Sequence, residues 1–124
     1  MRGLHLIADL NGCEGPAPLD DLEALRTLCR RAVADAGLHA VGELFHPFVD
    51  AQGRAQGVTG VVLLAESHLA IHTWPELAAV TADVYVCNFG ADNSARAESL
   101  MSSIVAAFGA SVWTVERLER GTAE

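Results

Sequence analysis

The run Val58-Thr59-Gly60-Val61-Val62-Leu63-Leu64-Ala65 decides the fold, because it is apolar at nearly every position and β-branched at Val58, Thr59, Val61 and Val62. Such a run predicts a central strand buried on both faces. Downstream, His68 to Trp74 and Ala79 to Cys87 read as two more strands around a turn at Pro75. Upstream, Leu38 to Phe48 reads as a strand ending near Pro47. The polar stretch Val49 to Gln56, with Asp50, Gln52, Gly53 and Arg54, is expected to be the hairpin loop between them. At the amino terminus Gly3 to Asp9 alternates, with Leu4, Leu6 and Ala8 set against His5, Ile7 and Asp9, which is a half-buried strand. Asn11-Gly12 and Gly15-Pro16-Ala17-Pro18 break it.

A helix is expected from about Leu19 to Ala36, since Leu22, Leu25, Leu28, Cys29, Ala32 and Val33 share one face and Gly37 supplies the stop. Ser94 to Phe108 reads as a second helix and Ser111 to Leu118 as a closing strand. The order β-α-β-β-β-β-α-β predicts an α+β two-layer sandwich, one mostly antiparallel sheet with two helices packed on one face.

The 124 residues allow one domain. With 51% hydrophobic and 19% charged residues the chain is globular rather than disordered. Sixteen acidic against eight basic residues give a net charge of -8. That charge argues against nucleic-acid and anionic-membrane partners, where Lys and Arg must replace counterions. It is compatible with a cationic small-molecule substrate, although solubility alone is the better account of an acidic surface. No stretch approaches the ~20 apolar residues of a membrane span, and the amino terminus lacks a secretory apolar region. Cys13, Cys29 and Cys87 are odd in number and without CxxC spacing, so neither a disulfide framework nor a structural zinc site is expected. The expected compartment is the cytoplasm. Cys13 and Cys29 read as core residues, and His5, His39 and His46 as structural ones.

Reactive side chains concentrate in Glu66-Ser67-His68-Leu69-Ala70-Ile71-His72-Thr73-Trp74-Pro75-Glu76. A zinc site from His68 and His72 would need a helix. Ile71, Thr73, Trp74 and Pro75 favour a strand, where positions four apart lie roughly 13 Å from each other, too far for one ion. No metal is expected. Ser67 lies in no GxSxG elbow, and His68 faces away from it in a strand, which disfavours a Ser-His-Asp hydrolase.

As a whole, the segment from Gly57 to Glu76 resembles the processing region of the prokaryotic S-adenosylmethionine decarboxylases. The resemblance continues at Asp83-Val84-Tyr85-Val86-Cys87, at His5-Leu6-Ile7, Gly12-Cys13 and Phe45-His46-Pro47-Phe48, and reaches Arg120-Gly121. It implies a self-processing proenzyme of polyamine and spermidine biosynthesis, cut between Glu66 and Ser67 into a β chain, 1–66, and an α chain, 67–124. Ser67 would attack the Glu66 carbonyl to give an ester, and elimination followed by hydrolysis would leave a pyruvoyl group. Decarboxylation beside an amine needs an electron sink. The pyruvoyl ketone, through a Schiff base, serves without pyridoxal phosphate or metal.

By the same resemblance His72 assists processing by removing a proton from the ester. Thr59, where many relatives carry serine, supports it. Cys87 returns a proton to the substrate carbon, a task that suits a thiol because its pKa lies nearer neutrality than a hydroxyl's. Phe48, Trp74 and Glu76 match positions near the substrate pocket, with Phe48 stacking on adenine. Relatives this short work as homodimers with active sites at the subunit interface.

The chain also departs from that pattern. Leu77-Ala78-Ala79-Val80-Thr81 stands where many relatives carry a Tyr-Gly-Tyr-Ala-Ala-type segment, Asn88 replaces a glycine, and the loop after Phe48 is longer. The lost aromatic surface keeps ornithine or arginine open as the substrate. A catalytically silent binding relative is the third reading, which the presence of Glu66, Ser67, His72 and Cys87 together disfavours.

Overall fold

Alternation in the amino-terminal segment becomes strand β1 (Arg2–Asn11), whose Leu4, Leu6, Ala8 and Leu10 are buried. The computed structural model describes residues 1–122. Helix α1 (Leu22–Asp35) follows, then β2 (Ala40–Val49), β3 (Ala55–Leu64), β4 (Ser67–Trp74), a 3-10 turn at Pro75–Leu77, β5 (Ala79–Cys87), α2 (Ser94–Phe108) and β6 (Val112–Gly121). The strands form one sheet in the order β2-β3-β4-β5-β1-β6, antiparallel at every pairing. This is the expected α+β two-layer sandwich. No helix among the described residues is long and apolar enough to cross a membrane.

Both helices lie on the same face. Asp21 caps α1, its carboxylate accepting from the Ala24 N–H at 3.0 Å, an interaction of about 1 kcal/mol. Leu25, Cys29, Ala32 and Val33 of α1 and Ala97, Leu100, Met101, Ile104 and Phe108 of α2 meet the buried residues of β1, β3, β4 and β5. Thr73 ties the segment before α1 to the sheet, its hydroxyl donating to the Leu19 carbonyl at 2.6 Å and accepting from the Val58 N–H at 2.8 Å.

Two expectations need correction. The apolar run does not give a strand buried on both faces. β3 is second from the edge, with Val58, Gly60, Val62 and Leu64 turned to the helices, while Leu63 on the other face is 49% exposed. Among the described residues nothing covers that second face, and its β-branched residues Thr59 and Val61 are only partly buried. The segment Val49 to Gln56 is also less of a loop than expected, because β2 runs on to Val49 and β3 begins at Ala55. The turn between them is closed by Asp50, which accepts from the Arg54 and Gln52 N–H groups at 2.9 Å each. Those bonds, that of Arg54 foremost, hold its carboxyl below the usual range. Pro47 is tolerated because β2 is an edge strand with a register shift beside it.

Ala78, which follows the 3-10 turn, adopts the left-handed conformation at φ 48 and ψ 43. Ala78→Gly is expected to stabilise the fold by about 1 kcal/mol, the relief of a Cβ in that conformation less the extra freedom glycine gives the unfolded chain. The urea midpoint measures it, and an unchanged or lower midpoint would contradict the account.

Candidate active site

Ser67 opens β4. It pairs with Leu64, so Ala65 and Glu66 form a two-residue connection between β3 and β4. Short hairpin turns of this kind favour glycine or asparagine where φ is positive. Here Glu66 takes φ 55, a conformation that costs a side-chain-bearing residue on the order of 1 kcal/mol. The peptide bond after it joins this strained residue to Ser67.

Antiparallel pairing of β4 with β5 brings Ser67 to Cys87 from twenty residues away, and the Ser67 Oγ accepts from the Cys87 N–H at 3.0 Å. Cys87 is buried, and its Sγ accepts from the Phe89 N–H at 3.4 Å. Behind it the carbonyl of Cys87 accepts from Asn93 Nδ2 at 2.9 Å. Asn88, the departure from glycine, holds this connection. Its Oδ1 accepts from the Asn93 N–H at 2.7 Å and its Nδ2 donates to Ser94 Oγ at 3.1 Å.

The remaining expected site residues gather elsewhere. Thr59 on β3 lies opposite His72 on β4, with Thr59 Oγ1 and His72 Nδ1 3.0 Å apart. The His72 ring lies 6.0 Å from that of Trp74, and Phe48 packs edge-on to His46 at 5.0 Å. Glu76 follows in the 3-10 turn. Five residue steps along β4 take the chain from Ser67 to His72, about 17 Å at the rise of an extended chain. The structure therefore brings Glu66, Ser67 and Cys87 together at one end of the sheet. It places Phe48, Thr59, His72, Trp74 and Glu76 at the other.

Between these ends lies a cluster that sequence reasoning missed. His68 Nε2 is 2.7 Å and His5 Nε2 3.0 Å from the same Asp83 oxygen, Oδ1. Arg120 Nη1 approaches His5 Nδ1 at 3.4 Å, and its guanidinium lies 5.3 Å from the centre of the Tyr85 ring. The three nearest groups, His5, His68 and Asp83, have ligating atoms within 4.8 Å of one another. A guanidinium only donates, so His5 Nδ1 must accept and Nε2 carries the proton that points to Asp83. In that tautomer His5 Nε2 offers no lone pair to an ion beside Asp83. His5 had read as structural; Asp83 lies 78 residues further along the chain, and only the pairing of β1 with β5 joins them.

Cys29 is fully buried in α1, and burial, followed by the charge of Glu43, pushes its thiol up to about 12. Burial also raises Cys13. Neither thiol is poised for chemistry, in keeping with the core role read from the sequence.

A family model described as S-adenosylmethionine decarboxylase matches residues 4–121. The chain is similar to the S-adenosylmethionine decarboxylase proenzyme of Carboxydothermus hydrogenoformans, 38% identical over 119 residues that make up 96% of this chain and 86% of that one. The proenzyme of the same name from Aquifex aeolicus is 45% identical over 85 residues, 68% of this chain and 58% of that one. Among solved structures, the adenosylmethionine decarboxylase from Aquifex aeolicus VF5 superimposes with a TM-score of 0.84 at 35% identity, covering 98% of this chain and 92% of the other.

Proposed function

Because the chain belongs to the S-adenosylmethionine decarboxylase family, we propose that it is a cytoplasmic proenzyme of polyamine biosynthesis that cuts itself and then decarboxylates S-adenosylmethionine. The observation that carries this reading is Ser67, placed directly after the strained Glu66 and hydrogen-bonded to Cys87.

The residues fit a pyruvoyl group made at position 67. The Ser67 oxygen already accepts a hydrogen bond, so its own proton is free to leave as Oγ attacks the Glu66 carbonyl carbon. The peptide C–N bond breaks, giving an ester and a free amine on residue 67. Removal of the α proton of residue 67 and cleavage of its Cβ–Oγ bond release Glu66 as a carboxylate that carries Oγ away. Water then replaces the amine nitrogen, which departs as ammonia. The products are chains 1–66 and 67–124. A ketone at residue 67 would supply the electron sink that decarboxylation beside an amine requires. Cys87, the buried thiol beside residue 67, returns a proton to the substrate carbon.

His72 is the base for the α proton. Thr59 fixes its Nδ1, which leaves Nε2 for the transfer. Within one chain it lies too far from Ser67, so we place it in the site of a second copy. Two sheets packed by their uncovered faces in antiparallel fashion would set the Thr59–His72 pair of one copy against Ser67 and Cys87 of the other. Leu44, Leu63 and Leu118, exposed on that face, support such a homodimer. Phe48, half exposed at the His72 end, offers its ring to adenine, with Trp74 and Glu76 nearby.

One observation favours a second reading. Leu77, exposed to solvent, and Ala78 stand where relatives offer a tyrosine and a glycine, which removes aromatic surface that an adenosyl group could use. The substrate is then ornithine or arginine, on the same chemistry. Carbon dioxide release from each carboxyl-labelled compound by the purified protein decides it. Release from S-adenosylmethionine is expected, and release from ornithine or arginine alone would overturn the first reading.

A further inference from the structure

We propose that Asp83 tethers His68 so that the chain end created by self-cleavage stays seated beside Cys87, which makes both of them positioning residues. The inference rests on cleavage between Glu66 and Ser67, as argued above.

Before the cut, two things hold residue 67 beyond the ladder pairings of β4 with β3 and β5. One is the covalent hairpin through Ala65 and Glu66, and the other is the hydrogen bond from the Cys87 N–H to Ser67 Oγ. The reaction removes both, because the peptide bond is broken and Oγ leaves with the Glu66 carboxylate. Residue 67 then becomes a chain terminus at the end of a strand, and such ends fray unless something ties them down.

His68 is the next residue, directly opposite Tyr85 in the ladder, and its Nε2 lies 2.7 Å from Asp83 Oδ1. The anchor is itself held. His5 occupies the same carboxylate oxygen at 3.0 Å, and Arg120 approaches the other nitrogen of His5 at 3.4 Å. The Arg120 guanidinium covers the Tyr85 ring, and that ring lies over Gly3, where an added Cβ would come within 2.5 Å of the tyrosine oxygen. The hold thus spreads over β4, β5, β1 and β6. Asp83 keeps 30% and His68 36% of its side-chain surface exposed, so the contact is partly sheltered from water. A hydrogen bond to a carboxylate in such a place outweighs a neutral one.

Deuterium exchange read by mass spectrometry tests the tether, on cut wild-type protein, cut Asp83→Ala, and the same Asp83→Ala change in an uncut Ser67→Ala chain. Asp83→Ala is expected to speed exchange at residues 68–70 about tenfold in the cut protein, as the loss of one charge-assisted hydrogen bond implies. In the uncut chain the hairpin still holds the strand, and exchange there should be unchanged. His68→Gln, which keeps a side-chain N–H donor, should restore most of the protection that His68→Ala removes. Equal acceleration in cut and uncut protein would make the cluster a general stabiliser and overturn the proposal. So would unaltered exchange in the cut variant, or an Asp83→Ala chain that fails to cut, since the tether would then act before cleavage. A wild-type chain that remains whole removes the cleavage reading, and the tether with it.

Discussion

Ser67→Ala will give one full-length species in a denaturing mass spectrum, where the wild type gives two, one ending at Glu66 and one beginning at residue 67. No other hydroxyl or thiol can take over. A nucleophile must lie immediately after the bond to form the ester, and Cys87 stands on another strand, twenty residues further along. Without the ester there is no elimination and no ketone, so decarboxylation falls to the uncatalysed background. That loss is at least about a millionfold on the general scale of enzymic rate enhancement. The carboxy-terminal fragment of the wild type should also lack a free amine. Two fragments from the alanine variant would point to an outside protease instead.

The second large effect is complementation between copies. A His72→Ala chain alone should remain uncut, because its own Ser67 would face a partner that also lacks the base. Co-expressed with Ser67→Ala chains, it should be cut, since a mixed dimer sets its Ser67 against an intact His72. The Ser67→Ala chain remains whole throughout and carries a mass tag that separates the two. If half of the dimers are mixed and one site in each is complete, roughly half of the His72→Ala chains should be processed, against a background near zero. Processing of the His72→Ala chain by itself would end both the shared site and the role given to His72. No processing in verified mixed dimers would end the shared site alone.

Much of the architecture was legible because burial follows local period. Leu4, Leu6, Ala8 and Leu10 declare a strand with one wet face, and Leu25, Cys29, Ala32 and Val33 declare a helix stripe. The reading failed at Val58 to Leu64, where an apolar run has no period to show that one of its faces is left open by this chain. It also failed at Asp50 to Arg54, where one carboxylate gathers two backbone donors and shortens the loop. Ser67 and Cys87 were legible as chemical residues but not as neighbours, and Thr59 and His72 not as a pair. Those meetings depend on the register of β3, β4 and β5. Arg120 and His5 are 115 residues apart, and no local spacing announces that β1 will lie between β5 and β6.

That interleaving would govern what happens to the protein once it has cut itself as proposed. The piece 1–66 carries β1, α1, β2 and β3, and the piece 67–124 carries β4, β5, α2 and β6. Since β1 is wedged between β5 and β6 while β3 pairs with β4, the pieces cannot part without tearing three ladders and opening the core. Native, the nicked molecule behaves as one body. Denatured, it becomes two chains that must find each other again. An uncut chain refolds at a rate indifferent to dilution, whereas the nicked one refolds by a second-order encounter that slows in proportion to it. On the proposed cleavage, maturation would therefore exchange a reversible folder for a particle whose lifetime is set by how slowly it first comes apart.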